Sequence, residues 1–174
     1  MTHDEIVALV ESLAEAWNSR DLERLLSLLT DDVVWDDPAM EKPASGRDAV
    51  CAFSLRVLRA FPDFHYEIVD PVCVAGDGSM CAVPWRITAT SLGPLDPPGF
   101  APTGRRVNST GVDLLHLKDG RVSCITTVFN PLPVAHQLLE LALPPRPGSL
   151  NERLLVLLQR LRAWWLRRKR GGMH

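Results

Sequence analysis

The sequence predicts an α+β domain: three helices first, then an antiparallel run of strands. Two observations carry that prediction. Apolar residues recur at helical spacing up to about Phe61, and from Asp63 onward they alternate at the period of a strand. In addition, Gly76-Asp77-Gly78 and Lys118-Asp119-Gly120 are hairpin signals set between apolar runs. The helices are expected to pack in the concavity of a strongly curved sheet.

The elements follow in order. Thr2-x-x-Glu5 has the form of a capping box, and Ile6, Leu9, Val10, Leu13 and Trp17 follow on one helical face. Asn18-Ser19-Arg20 breaks the pattern. Asp21 caps a second helix with Leu22, Leu25, Leu26 and Leu29 on its inner side. Asp31-Asp32-Val33-Val34-Trp35-Asp36-Asp37-Pro38 then favours an extended chain, because its centre is β-branched and aromatic and the proline disfavours helical angles before it. A loop from Ala39 to Gly46 leads to a third helix bearing Val50, Phe53, Val57, Leu58 and Phe61, and Pro62 marks its end. Strands are expected at Phe64–Asp70, Val72–Ala75, Met80–Ser91, Val107–Leu117 and Arg121–Asn130. Pro84 suggests an edge position or a bulge. Residues 92–105 form a proline- and glycine-rich loop without periodicity, of the kind that serves as a functional rim or cover. A short helix over Leu132–Leu141 completes the domain, taken as residues 1–143. Residues 144–149 read as a proline-rich linker and 150–174 as a helical tail.

With 174 residues, 46% of them apolar and 23% charged, the composition is that of an ordinary soluble globular chain. No apolar run is long enough to span a bilayer, and the acidic N-terminus lacks the features of a signal peptide. The four cysteines stand singly in apolar runs and read as small buried hydrophobes in a reducing cytoplasm. Charge is divided unevenly. Residues 1–144 carry 11 Lys and Arg against 20 Asp and Glu, whereas residues 145–174 carry 8 against 1. The acidic body is therefore no nucleic-acid binder.

Two acidic positions stand out. In an extended chain Val33, Trp35 and Asp37 share one face while Val34 and Asp36 share the other. If Val33 and Trp35 face the interior, Asp37 is carried in with them, and a dry site beside a tryptophan raises the pKa of a carboxyl towards that of a useful general base. The alternative is that all four aspartates are solvated turn and cap residues, which is the reading for Asp31, Asp32 and Asp36. Asp113 lies in the middle of an apolar strand, on the face of Ser109, Gly111, Leu115 and Leu117. Burying it requires either a partner cation such as Arg86 or protonation, which would make it a neutral acid. Trp17, Trp35, Phe53, Trp85 and Phe129 are candidate walls of an apolar cavity, with plain core packing as the other reading; His65 is a candidate pocket residue or a half-exposed strand histidine. The five histidines show no metal-ligand spacing, and neither a phosphate-binding loop nor a dinucleotide fingerprint is present, so neither metal nor cofactor is expected.

Asp31–Pro38 followed by Gly46-Arg47-Asp48-Ala49-Val50 resembles the ketosteroid isomerases and SnoaL-like polyketide cyclases of the nuclear transport factor 2-like superfamily. The resemblance runs from about Glu5 to Leu141. It includes Trp17-Asn18-Ser19-Arg20-Asp21-Leu22, Phe61-Pro62-Asp63, Thr103-Gly104-Arg105-Arg106 ahead of Val112-Asp113, and Asp119-Gly120-Arg121-Val122. It implies a cone, a curved mixed or antiparallel sheet around three helices, in a homodimer. It also implies that Asp37 stands where the isomerases keep their proton-shuttling aspartate, Asp113 where they keep the acid that donates to the oxyanion, and Phe129 on a pocket aromatic. Leu13 stands at the position of the isomerases' oxyanion tyrosine, Thr127 near an acid of the final strand in the cyclases and limonene epoxide hydrolases, and Asn130 where many relatives have another acid. The expectation is a cofactor-independent acid/base enzyme, an isomerase or aldol-type cyclase, on a small polyketide- or steroid-like carbonyl compound. A non-catalytic binding or assembly module of the same fold is the second reading, and epoxide hydrolysis the third.

The tail is a separate object. Leu150, Leu154, Leu157, Leu158, Leu161 and Trp165 form an apolar stripe, Arg153, Arg160 and Arg167 recur every seven residues, and Arg167-Arg168-Lys169-Arg170 ends the run. Such a helix suits an anionic membrane surface or an acidic protein face, its own body's or a dimer mate's. The localisation expected is cytoplasmic, with peripheral membrane contact through this helix as the alternative to its docking on protein.

Overall fold

A computed structural model describes residues 1–96, 99–139 and 148–171; of the side chains from 161 onward nothing is described. The expected helix end at Leu141 and linker residues 144–147 lie outside the described residues, as do the side chains of Leu161, Trp165 and the Arg167–Arg170 run. The chain divides into two units, Met1–Leu139 and Glu140–His174.

The first unit is an α+β cone. Helix α1 (His3–Ser19) starts with the full capping box: Glu5 N–H donates to Thr2 Oγ1 at 3.2 Å and Thr2 N–H to the Glu5 carboxylate at 2.8 Å. It ends at Arg20, in the left-handed region at φ 61°. Helix α2 (Leu22–Ser27) is capped by Asp21 and is shorter than the spacing suggests. Leu29 does not extend it but opens strand β1 (Leu29–Asp36), paired with Val122 of the last strand. The β-branched run that follows is better satisfied in the sheet than in a third helical turn. The loop before the third helix also contains a two-residue strand, β2 (Ala44–Ser45), paired with Val34 and Trp35. Helix α3 (Arg47–Ala60) begins against β1, where Arg47 forms an ion pair with Asp31 at 2.9 Å and also donates to the Leu29 carbonyl.

Strands β3 (His65–Ile68), β4 (Cys73–Val74), β5 (Met80–Thr90), β6 (Arg106–Lys118) and β7 (Arg121–Phe129) complete a sheet in the order β2-β1-β7-β6-β5-β3, with β4 also on β5. The β1–β7 pair is parallel and the others are antiparallel. Pro84 does not lie on an edge strand. It sits in β5 where that strand's outer neighbour changes from β3 to β4, and its carbonyl accepts from Val69 N–H at 3.1 Å. Loop 92–105 is anchored at its base by Leu92 and Gly93 N–H, both donating to the Ala60 carbonyl. Gly93 is obligatory there, because a Cβ would lie 2.0 Å from the Arg59 carbonyl oxygen. Helix α4 (Pro131–Leu139) ends the unit as described.

The concave face of the sheet and the helices share one core, with Ile6, Leu25, Leu29, Val33, Val50 and Val122 almost fully buried. Cys81 belongs to it, Cys51 and Cys124 are half-buried, and Cys73 is exposed, so the description of all four as core residues does not hold. In the second unit helix α5 (Leu150–Gly171) exposes Leu150, Leu154, Leu157 and Leu158. Among the described residues, no helix is long and apolar enough to cross a membrane.

Candidate functional site

The register of three strands assembles the site. Asp36 of β1 pairs with Thr126 of β7, so the next residue, Asp37, comes beside Thr127; Asp113 of β6 lies directly opposite Thr127. Alternation turns all three inward with Val33 and Trp35, leaving Val34 and Asp36 outside. A row of carboxyl, hydroxyl and carboxyl thus crosses the inner face. Asp37 is 9% exposed, and its Oδ1 accepts from Ala39 N–H at 2.7 Å.

Asp113 is held by donors. Thr127 Oγ1 donates to its Oδ1 at 2.8 Å and Tyr66 Oη to its Oδ2 at 3.2 Å. Thr127 in turn accepts from Trp35 Nε1 at 2.9 Å. The Trp85 indole N–H is buried without a hydrogen-bond partner, yet lies near enough to favour the charged form of Asp113. Its ring is fitted against Gly111, where a Cβ would come 2.4 Å from Trp85 Cζ2. Burial outweighs these donors and pushes the Asp113 pKa up to about 6, with the charge of Asp37 adding to the rise. Asp37 is raised too, chiefly by burial, against the pull of the Ala39 amide. Tyr66 is raised far beyond its ordinary range, first by burial and then by Asp113, so it stays a neutral O–H. Arg86 does not neutralise Asp113; it pairs with Glu67 at 3.1 Å on the outer face.

A cavity of about 30 Å³ opens beside these groups. Tyr66 and Asp113 line it, with Trp17, Trp35, Leu13 and Val83 among its apolar walls. Phe53 packs edge-on to Trp35 at 5.2 Å, behind the cavity wall, while Trp85 and Phe129, 6.0 Å apart, do not line the cavity. Asp37 lies beyond Thr127 and does not line the cavity. His65 is exposed on the opposite face of β3 from Tyr66, and is no part of the site.

The pattern of the SnoaL-like domain family matches residues 10–125, two-thirds of the chain. The chain belongs to the SnoaL-like family. Similar solved structures include AclR of Streptomyces galilaeus, a candidate hydroxylase, at 28% identity and TM-score 0.68, covering 80% of this chain and 99% of that one. TsrD of Streptomyces laurentii is 21% identical with TM-score 0.69, covering 81% and 99%. A candidate SnoaL-like polyketide cyclase of Jannaschia sp. CCS1 is 23% identical with TM-score 0.68, covering 78% and 92%. A comparison with curated proteins returned no match. Membership of this SnoaL-like family implies a small hydrophobic ligand.

Tyr66 is the cavity-lining polar residue that the sequence reading did not place at the site. Its phenol reaches Asp113 from two strands away, and only the twist of the sheet, not the register, brings them together.

Proposed function

We propose that this SnoaL-like cone is a cofactor-independent acid/base enzyme acting on a small, hydrophobic, polyketide- or steroid-like carbonyl compound. The observation that carries the reading is the pair of inward carboxyls, both with raised pKa, set on one row whose Asp113 end lines an apolar cavity. Asp37 takes a proton from the carbon next to the carbonyl, and the C–H electron pair moves into the enolate. The developing negative oxygen is met by hydrogen bonds from the Asp113–Tyr66 end of the site. Asp113 donates only while it holds a proton; Tyr66 is neutral throughout and faces the same cavity. The enolate then regains a proton elsewhere, which is isomerisation, or attacks a second carbonyl, which closes a ring.

A second reading, a binding module that keeps the cone without the chemistry, is favoured by the size of the cavity. At about 30 Å³ it is small beside the roughly 300–1,000 Å³ of ordinary small-molecule sites. A thermal-shift screen against planar ketones and phenols separates the two. Ligands of the enzyme stabilise wild type and Asp37→Asn alike, but only wild type exchanges the proton next to the carbonyl for deuterium. Binding without exchange in wild type favours the module.

A homodimer, and contact of α5 with anionic membranes, belong to the same proposal. Their support is the basic, apolar-exposed helix. Vesicle sedimentation and light scattering of the full chain against one ending at Leu143 test them; identical behaviour in both assays removes the tail's role in location and assembly, and a monomeric mass for both chains removes the homodimer.

A further inference from the structure

We infer that the Thr127 hydroxyl joins Asp37 and Asp113 into one acid–base unit that holds a single proton between its two carboxyls. Thr127 is a positioning residue in this unit, neither acid nor base itself. The hydrogen-bond capacity of a hydroxyl explains the assignment. Thr127 has one proton to give and two lone pairs. One lone pair is taken by Trp35 Nε1, which can only donate, at 2.9 Å. One proton and one lone pair remain, and the neighbours in register on either side are carboxyls.

With one carboxyl neutral and the other charged, every position is used: the neutral group donates to Thr127 Oγ1, and Thr127 donates to the charged one. With both charged, Thr127 serves only one of them, and the two repel. With both neutral, its proton has no charged acceptor. The one-proton state is therefore the best satisfied, and rotation of a single hydroxyl decides which carboxyl holds the proton. The bond to Asp113 Oδ1 at 2.8 Å is one of the two arrangements.

The surroundings reinforce the pairing. Burial raises both carboxyls, and Thr127 favours the charged form of each. The other titratable groups that act on the unit are Asp36, next to Asp37, and Tyr66, bonded to Asp113. Helices α1 and α3 present Val10, Leu13, Ala14, Trp17 and Phe53 to this side of the cone, all of them uncharged.

The consequence deepens the acid/base reading and rests on it. With the shared proton on Asp113 and Thr127 turned to the charged Asp37, Asp37 takes a proton from the ligand carbon, its new O–H bond forming as the C–H bond breaks; the unit then holds two protons until Asp37 returns its own to the product. Return of that proton leaves Asp37 a base again, while Asp113 keeps the proton with which it donates on the oxyanion side.

The test needs no substrate. The carboxyl carbons of ¹³C-aspartate-labelled full-length protein are followed by NMR across pH 3 to 9. In wild type the Asp37 and Asp113 signals should each record both protonation steps. In Thr127→Val the two steps should draw together by about one pH unit, the scale of one hydrogen bond. Thr127→Ser should restore the wild-type curves. Independent single steps in wild type, or wild-type curves in Thr127→Val, overturn the inference. Where Thr127→Val does not fold, Thr127→Ala takes its place. Asp37→Asn gives a further reading: Asp113 should then titrate in one step at lower pH, and an unchanged curve overturns the inference as well. Failure here leaves Asp37 to its own exchange assay, so the two readings fall separately.

Discussion

Asp36 and Asp37 are neighbours in sequence and opposites in chemistry. Asp36 faces water on the outer side of β1, while Asp37 is turned into the cone with Trp35. The same contrast recurs across the sheet. Glu67 and Arg86 satisfy each other on the outer face, half-exposed, while Asp113 on the inner face meets only neutral donors. A carboxylate on the outer face keeps its hydration; one moved a single residue along the strand is desolvated and holds its proton more readily. Reactivity in this fold is decided by which face of one sheet a side chain occupies.

The largest expected effect attacks that contrast directly. Asp37→Asn keeps the shape and removes the base, so proton exchange or turnover should fall about 10²–10⁴-fold, the usual contribution of general-base catalysis, with ligand affinity retained. Asp36→Asn should change the rate little. A damaging Asp36→Asn beside a silent Asp37→Asn would mean that the inner and outer faces of β1 have been exchanged.

Next in size is the pH dependence of stability. Asp113 has a folded pKa of about 6 against about 3.9 for an unfolded aspartate. Below pH 4 it is neutral in both states; above pH 6 it is charged in both. Between those values the folded protein holds a proton that the unfolded chain has released. Its contribution to stability therefore declines as pH rises through this window, by up to ~3 kcal/mol. Asp113→Asn removes that slope, so denaturant melts should show the variant gaining on wild type from pH 4 to pH 7. A variant several kcal/mol weaker at every pH would instead identify Asp113 as a charge held by a cation, and the neutral inner face would be disproved.

Much of this was legible in the sequence, and the rest was not, for identifiable reasons. Alternation alone turned Asp37 inward, because a strand's period is local. The capping box of α1 was equally local. The end of α2 was not, since Leu29 suits a helix and only its parallel partner Val122, far along the chain, draws it into β1. Arg86 was a reasonable partner for Asp113 until register placed Glu67 opposite it. Thr127 was read as standing near a position where relatives carry an acid; its place between Asp37 and Asp113 comes from the pairing of three strands, which no local pattern records. Tyr66 is opposite Ile87 by register, and reaches Asp113 only through sheet twist.

Packing on the inner face gives a smaller effect. Gly111→Ala places a Cβ 2.4 Å from Trp85 Cζ2 and 2.6 Å from the Val128 carbonyl oxygen, and one of the two is backbone. The overpacking should cost about 1–3 kcal/mol in a denaturant melt and displace the Trp85 ring, visible as a changed tryptophan emission. An unchanged melt would show that the inner face is loosely packed around the site, contrary to the fit of Trp85 against Gly111.

The smallest effect belongs to the outer face, where the contrast predicts near-indifference. Glu67 and Arg86 approach to 3.1 Å with side-chain exposures of 51% and 44%. An ion pair so placed gains little, because water screens the charges and two long side chains must be ordered to form it. Glu67→Gln should therefore change stability by no more than about 1 kcal/mol, and raising the salt concentration should shrink the difference further. Arg86 stays solvated in the variant, so no buried cation is left without a partner. The control is Asp113→Asn measured at the same pH: it acts on a buried carboxyl, so its effect should persist at high salt. If Glu67→Gln instead costs several kcal/mol and salt does not reduce it, the outer face also holds its charges away from water. Asp36 would then lose its standing as the solvated counterpart of Asp37.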